Sequence, residues 1–303
     1  MSAVEVKTEQ PPVQPPVTKG ENPKKRMLKE IAGRFMKNKL AVAGGFFILL
    51  LIFMAIFAPV VAPQDPSEQS YADFLTEPTA DHWFGTDELG RDVLSRVIYG
   101  ARVSLQAGMI SVGIALAVGV PIGLFSGYYR GVLDEFIVMR FTDALLSFPP
   151  LVLALSMAAV LGAGLQNAMI AIGIVFTPNI IRLMRAEVLS QREREYVMAA
   201  KASGLSDRKI IFLHIFPNCL PPILVQATLA VAGAIIAEAS LSYLGLGTQP
   251  PTPSWGAMLS MGQGYLADAP WIALFPGIFI FITVLSINLF GDGLRDALDP
   301  KMK

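Results

Sequence analysis

The feature that most constrains this chain is the length of its uncharged apolar runs. Residues 40–62 contain no charged side chain over 23 positions. At about 1.5 Å per residue such a run spans the ~30 Å hydrocarbon core of a bilayer with a little to spare. It is too long, and starts too late, to be a signal sequence. A second span is expected over 103–127, with Pro121 as a kink that a helical bundle tolerates. The uncharged stretch 144–181 is too long for one helix and breaks at Gly162-Ala163-Gly164-Leu165-Gln166-Asn167. It therefore reads as a third span over about 136–161 and a fourth over about 168–183. The fifth covers about 217–241. The sixth covers about 271–289 and ends at Gly291-Asp292-Gly293. Only 16% of the residues are charged, against roughly a quarter in a soluble domain. The expected fold class is an all-α membrane protein with six transmembrane helices.

Charge placement gives the orientation. Nine of the 24 Lys and Arg residues precede residue 40 and seven more fall in 182–209, whereas 63–102 holds three and 242–270 none. The positive-inside rule then puts both termini and the loop near residue 200 in the cytoplasm. The first 23 residues are rich in Pro, Gln, Thr, Val and Glu, and read as a disordered tail without a cleavable signal. Residues 24–39 place Leu28, Ile31 and Phe35 on one helical face among basic side chains, which predicts an interfacial helix on the anionic leaflet.

The most informative cytoplasmic stretch is 196–218, YVMAAKASGLSDRKIIFLHIFPN. Its first eight residues are alanine-rich and helix-favouring. Gly204 suits a left-handed helix stop with Leu205 making the following apolar contact. Ser206 is placed to cap a second helix with Asp207 at its positive end. Pro217 marks the start of the next span. These residues predict a short helix-turn-helix at the membrane surface, of a size another protein could grip.

Other features exclude more than they assign. The lone Cys219 rules out an intrachain disulfide and a cysteine cluster, and His82 and His214 lack metal-ligand spacing. No metal site is expected. No Ser/His/Asp grouping or paired carboxylates occur within the spans, which argues against an enzyme. No stretch fits G-x-x-x-x-G-K-[ST], so a P-loop for ATP phosphates is missing. In the outer loop Gly85-Thr86-Asp87 reads as a turn, and 92–102 as an amphipathic helix at the outer interface. Arg140 and Asp143 have the spacing of a pair on one helix face. Pro149-Pro150 should kink the third span. The uncharged 239–267, with Pro250-Pro251 and Trp255, is irregular backbone that can dip into the membrane where protein covers it. Glu238 near the outer end of the fifth span either faces a substrate path or a binding protein, or reaches interfacial water.

The spacing Ala199-Ala200, three residues, Gly204, then Pro217 resembles the EAA loop of ABC-importer permeases, except that Met198 stands where that family has Glu. Three longer strings carry the resemblance further. They are FGTDELGRDVLSRVIYGARVSL (84–105), EASLSYLGLGTQPPTPSWGAM (238–258) and NLFGDGLRDALDP (288–300). All three look like the C-type permease of dipeptide, oligopeptide and nickel importers.

The resemblance implies a type I importer permease fold in a bacterial or archaeal cell membrane. It implies a cytoplasmic tail and interfacial helix (1–39), a first helix (40–62), an extracytoplasmic loop (63–102), a five-helix permease domain (103–293) with a coupling loop at about 185–216, and a tail (294–303). It implies that Met198, Ala199, Ala200, Gly204, Leu205 and Pro217 form the ATPase-coupling loop. The implied partners are a second homologous permease, two ATPase subunits that hold the ATP and Mg, an extracytoplasmic solute-binding protein, a peptide substrate and the lipid bilayer, with no nucleic acid. No cofactor is expected in this chain. Nickel and glutathione importers share the same strings, so cargo stays open between these and peptides. An ion-coupled carrier, a channel or a membrane scaffold is the rival class, and would need neither the Gly204 break nor an ATPase.

Overall fold

The computed structural model describes residues 23–298, and among these the regular structure is helical, with a single isolated bridge between Thr86 and Asp92. The expected disordered tail falls almost wholly outside the described residues. Helix α1 (Pro23–Lys37) leads through Asn38 into α2 (Lys39–Ile56). The Asn38 side chain caps α2 by accepting from the Ala41 N–H at 3.1 Å. Phe35 packs edge-on against Phe290 near the far end of the chain, ring centres 5.2 Å apart. At least that member of the expected interfacial face is turned onto protein, and the Leu28 side chain lies outside the described residues.

Helix α3 (Val93–Tyr129) is a rod of 37 residues, about 55 Å. Residues 92–102, expected as a separate interfacial helix, are instead its first turns. The physical reason is at its start. Asp92 caps it by accepting from the Ser95 N–H at 2.8 Å, and Val93, Val97 and Ala101 are fully buried, so the early turns belong to the core. Arg102 reaches across to the last carbonyls of α2, 3.0 Å to Ala55 and 3.3 Å to Ile56, and satisfies acceptors that a helix end leaves open.

The third span is not straight. Helices α4 (Asp134–Leu146) and α5 (Pro150–Leu161) meet at 97° across Pro149. A proline disfavours helical backbone in the residue before it, and Pro149-Pro150 therefore ends α4 and opens α5. Each half is at most about 20 Å long, too short to cross alone. The register of its neighbours shows that the pair crosses together. Along α3, residues Gly119, Gly123 and Gly127 approach Ile180, Met184 and Val188 of α6 (Leu165–Arg192), while Ile114 meets Gly173. Both numbers rise together, so α3 and α6 are parallel, and the chain between them must return through the full thickness. Counted this way, the described residues make six crossings, five by single helices and one broken. A Cβ on Gly123 would lie 2.6 Å from the Ile181 carbonyl, so the Gly119, Gly123, Gly127 stripe is what lets the two helices close up.

After α6 come the short α7 (Glu195–Ala202) and then α8, which runs unbroken over Asp207–Tyr243. Pro217 was expected to start a span but lies inside α8. Its missing N–H and its ring are absorbed by a wide turn at Ile210–Ile215, where Phe216 N–H reaches back to Ile211 O. Helix α9 (Trp255–Gly262) is the ordered part of the uncharged outer stretch, and α10 (Trp271–Leu298) closes the bundle. Gly293 of α10 lies against Ala41 of α2, so the two described ends share one face of the bundle.

The opposite face carries a built cap. Asp87 is 1% exposed and accepts from Arg91 Nε at 2.7 Å and from the Leu89 and Arg91 N–H groups at 2.9 and 3.0 Å, and it forms an ion pair with Arg96, whose Nε lies 3.3 Å away. Arg96 also donates to the Pro66 carbonyl at 2.9 Å. Asp92 binds His82 at 3.1 Å besides capping α3. Two indoles pin this cap to the bundle, Trp271 donating to Thr86 O at 3.0 Å and Trp255 to Val97 O at 2.9 Å. The string 84–105 is therefore largely a folding signature: its acids and arginines satisfy one another out of water.

Candidate functional site

Helix α7 forms because its composition leaves little against it. Glu195 stands in its first turn and Lys201 in its last, both favourable to the helix dipole, with Ala199 and Ala200 between them and Ala202 at the end. It stops where the sequence predicts. Gly204 has φ +73°, its N–H bonds Lys201 O at 3.0 Å, and Leu205 N–H bonds Ala200 O at 3.2 Å. This is the paired-bond helix stop in which the residue after glycine turns inward. Leu205 does so, packing with Val197 and Ala200 against Tyr128, Met184, Val188, Ile211, Ile215 and Cys219.

The expected cap by Ser206 is not made by its side chain; only its carbonyl takes part, accepting from Ile210 N–H at 3.0 Å. The partner of this turn is elsewhere, since Asp207 accepts from Tyr128 Oη at 2.6 Å. Arg192 donates to the Tyr128 carbonyl at 2.8 Å and its guanidinium carbon lies 5.8 Å from the ring centre; Lys201 Nζ lies 5.4 Å from it. Tyr196 closes the other side, donating to Gln191 Oε1 at 2.8 Å and accepting from Asn218 Nδ2 at 3.3 Å. Burial, with a smaller contribution from Cys219, holds the Tyr196 hydroxyl above the ordinary tyrosine pKa, so it remains a donor.

The six loop residues singled out from the sequence divide by direction. Ala200 and Leu205 face the bundle. Met198 (54% exposed), Ala199 and Gly204 face out, and nothing lies within 4 Å of where a Gly204 Cβ would be. Pro217 is exposed on the flank of α8, two turns beyond the loop. Glu238 is not part of this group; it lies about 30 Å beyond Pro217 along α8. It is fully buried, with Oε1 accepting from Ser242 at 2.6 Å and Thr248 at 3.3 Å and Oε2 without a protein partner. In this conformation it reaches neither interfacial water nor an outside protein, and it fastens the chain after α8 back onto that helix.

The loop rests on a charged girdle that sequence spacing assigned differently. Asp143 pairs with Arg182 of α6, not with Arg140. Asp134 takes a two-pronged pair from Arg185, at 2.8 and 2.6 Å, and a hydrogen bond from Ser126. Arg182 and Arg185 are three apart on α6, and α4 lies against that face, so Asp134 and Asp143 of α4 pair across helices. A cross-helix partner is invisible to within-helix spacing rules. The Gly119-xxx-Gly123-xxx-Gly127 stripe was a legible signal for the α3–α6 contact that the sequence reading did not use.

Residues 119–303 match the family described as "Binding-protein-dependent transport system inner membrane component", and residues 26–78 match the "N-terminal TM domain of oligopeptide transport permease C". The dipeptide transport system permease protein DppC of Alkalihalophilus pseudofirmus is 49% identical, over 91% of this chain and 90% of that protein. The glutathione transport system permease protein GsiD of Pectobacterium atrosepticum is 44% identical over 91% of each. Among solved structures, a chain of the MetNI methionine ABC transporter in an inward-facing conformation superposes with TM-score 0.57 and 18% identity, over 67% of this chain and 97% of that one. At that identity the likeness is one of fold.

Proposed function

The chain belongs to the family of binding-protein-dependent transport inner membrane components, as a permease subunit of an ABC importer, and on that premise we propose that it forms half of a transmembrane path for short peptides. The relatives named above are a dipeptide and a glutathione permease. Glutathione is itself a tripeptide, so one cargo class covers both. The other half is a second homologous permease. ATP and Mg are held by two ATPase subunits below, and cargo arrives from an extracytoplasmic solute-binding protein.

One observation carries the coupling assignment. Helix α7 is seated on the bundle by Val197, Ala200 and Leu205 while Met198, Ala199 and Gly204 form an uncovered outer edge. A short helix rigid on one side and open on the other is suited to pass a push from an ATPase into the spans. Seven basic residues at 182–209 support a cytoplasmic side for this edge, where ATP is available. Intramembrane transport then works by alternating access, with α7 moved as a rigid piece.

The test is purification of the tagged chain from its own membranes in mild detergent, followed by vesicle reconstitution. Two ATPase subunits and a second permease should co-purify, and ATP should drive uptake of a labelled dipeptide that glutathione, rather than nickel, competes away. Gly204→Arg should insert normally yet lose ATPase co-purification and uptake, because a bulky cation would occupy the open edge. Undiminished uptake by that variant, or a lone homo-oligomer without ATPase activity, would contradict the reading.

A further inference from the structure

Three consecutive parts of the loop converge on one side chain. Arg192 at the end of α6, Lys201 on α7 and Asp207 at the start of α8 all contact Tyr128, the penultimate residue of α3. The contacts differ in kind. Arg192 bonds the Tyr128 carbonyl and, like Lys201, stands within cation–π distance of the ring, whereas Asp207 accepts a hydrogen bond from the hydroxyl at 2.6 Å. Tyr128 itself is 5% exposed and its ring is part of the apolar cluster that seats α7.

The helix it ends is also distinctive. Helix α3 starts inside the buried ionic cap on the far face, at Asp92 and Arg96, and runs without interruption to Tyr129. It is locked to parallel α6 by the Gly119, Gly123, Gly127 stripe. A displacement applied to its loop end is therefore carried by one rod to the opposite surface.

We propose that Tyr128 is the positioning residue that joins the loop to this rod, its hydroxyl bond to Asp207 at the start of α8, beside the Lys201 contact from α7, holding the turn after α7 and α3 in one rigid unit during the transport stroke. The inference rests on the reading of the loop as the ATPase seat. Apolar packing alone would let α7 slide over the bundle, since it has no directional preference. A short hydrogen bond to a carboxylate fixes both distance and angle. Without it, ATPase closure would still move α7 but less of the motion would reach α3.

This predicts an effect on coupling rather than on assembly. Tyr128→Phe keeps the ring, the cluster and both cation contacts and removes only the hydroxyl. In the reconstituted complex it should retain ATPase subunits and ATP hydrolysis while peptide imported per ATP falls about tenfold, the scale of one charged hydrogen bond. Asp207→Ala should show the same loss, the double variant should be no worse than either single one, and Asp207→Asn, which still accepts from a hydroxyl, should restore most of the ratio.

A wild-type import-to-hydrolysis ratio in Tyr128→Phe, or additive losses in the double variant, would overturn the proposal. Gly204→Arg measured in parallel separates the two levels. If it abolishes uptake while Tyr128→Phe is normal, only the Tyr128 inference fails. If it transports normally, the seat assignment fails and takes this inference with it.

Discussion

The two surfaces of this bundle are built on opposite principles. On one side the segment before α3 is closed upon itself, with Asp87, Arg91, Arg96, Asp92 and His82 all buried and mutually paired and two indole N–H groups bonded to backbone carbonyls. On the other side the loop around α7 has a fixed inner face and an uncovered outer one, and its polar ties lie at its margins. Buried charge networks are costly to break because each survivor is left unpaired. An exposed alanine-rich edge costs little to change. The first surface is thus a fixed end, and the second leaves an edge open to contact.

The sharpest way to break that comparison is Asp87→Ala, which would leave two buried guanidinium groups without their shared acceptor. We expect a loss of about 3–5 kcal/mol, seen as a large fall in the thermal unfolding midpoint in detergent; a midpoint within a degree of the parent would mean that the cap is not a closed unit. Next comes Gly123→Val in the seam that connects the two surfaces. The added methyl groups must displace the Ile181 carbonyl or Met184, at a cost of about 1–3 kcal/mol, measurable by the same unfolding assay. If stability is unchanged, α3 and α6 are not held by close approach.

On the loop side stability should move less than function. Gly204→Ala has open space around the new methyl group, so it bears only the left-handed backbone penalty of about 1–2 kcal/mol. Its ATP-driven uptake should fall only modestly, whereas Gly204→Arg, with the same backbone penalty, should lose it. Equal uptake in the two variants would show that the outer edge at Gly204 is not a contact surface. Smallest of all is Met198→Glu, which puts the family residue onto an exposed position. Its unfolding free energy should stay within about 0.5 kcal/mol of the parent, with ATPase subunits co-purifying at least as well.

What the sequence could show follows the range of the interactions involved. The apolar runs, the glycine stop at 204 and the double-proline break at 149–150 are local, and each appears where expected. Six crossings also emerge, although Pro149-Pro150 produces a 97° corner where a kink was foreseen. The misreadings are long-range. Residues 92–102 look amphipathic because Asp92, Arg96 and Arg102 are charged, yet Asp92 and Arg96 are paired with His82 and Asp87 inside the protein. Arg140 and Asp143 have the right spacing, but Arg182, thirty-nine residues further on, takes the acid. Pro217 should break a helix, and a wide turn upstream accommodates it. Tyr128 gave no signal at all, because its partners at 192, 201 and 207 come to it only through the parallel packing of α3 and α6.

The central claim is that the outer edge of α7 is covered by an ATPase in the working importer. The most direct measurement is cross-linking from Met198→Cys in the intact, mildly solubilised complex. The native Cys219 is fully buried, so the introduced thiol is the accessible one in this chain. With a short thiol-to-amine reagent, the account predicts a covalent adduct between this chain and an ATPase subunit, suppressed when Gly204→Arg is added. An intact complex in which the same thiol stays open to a bulky maleimide and yields no ATPase adduct would contradict it.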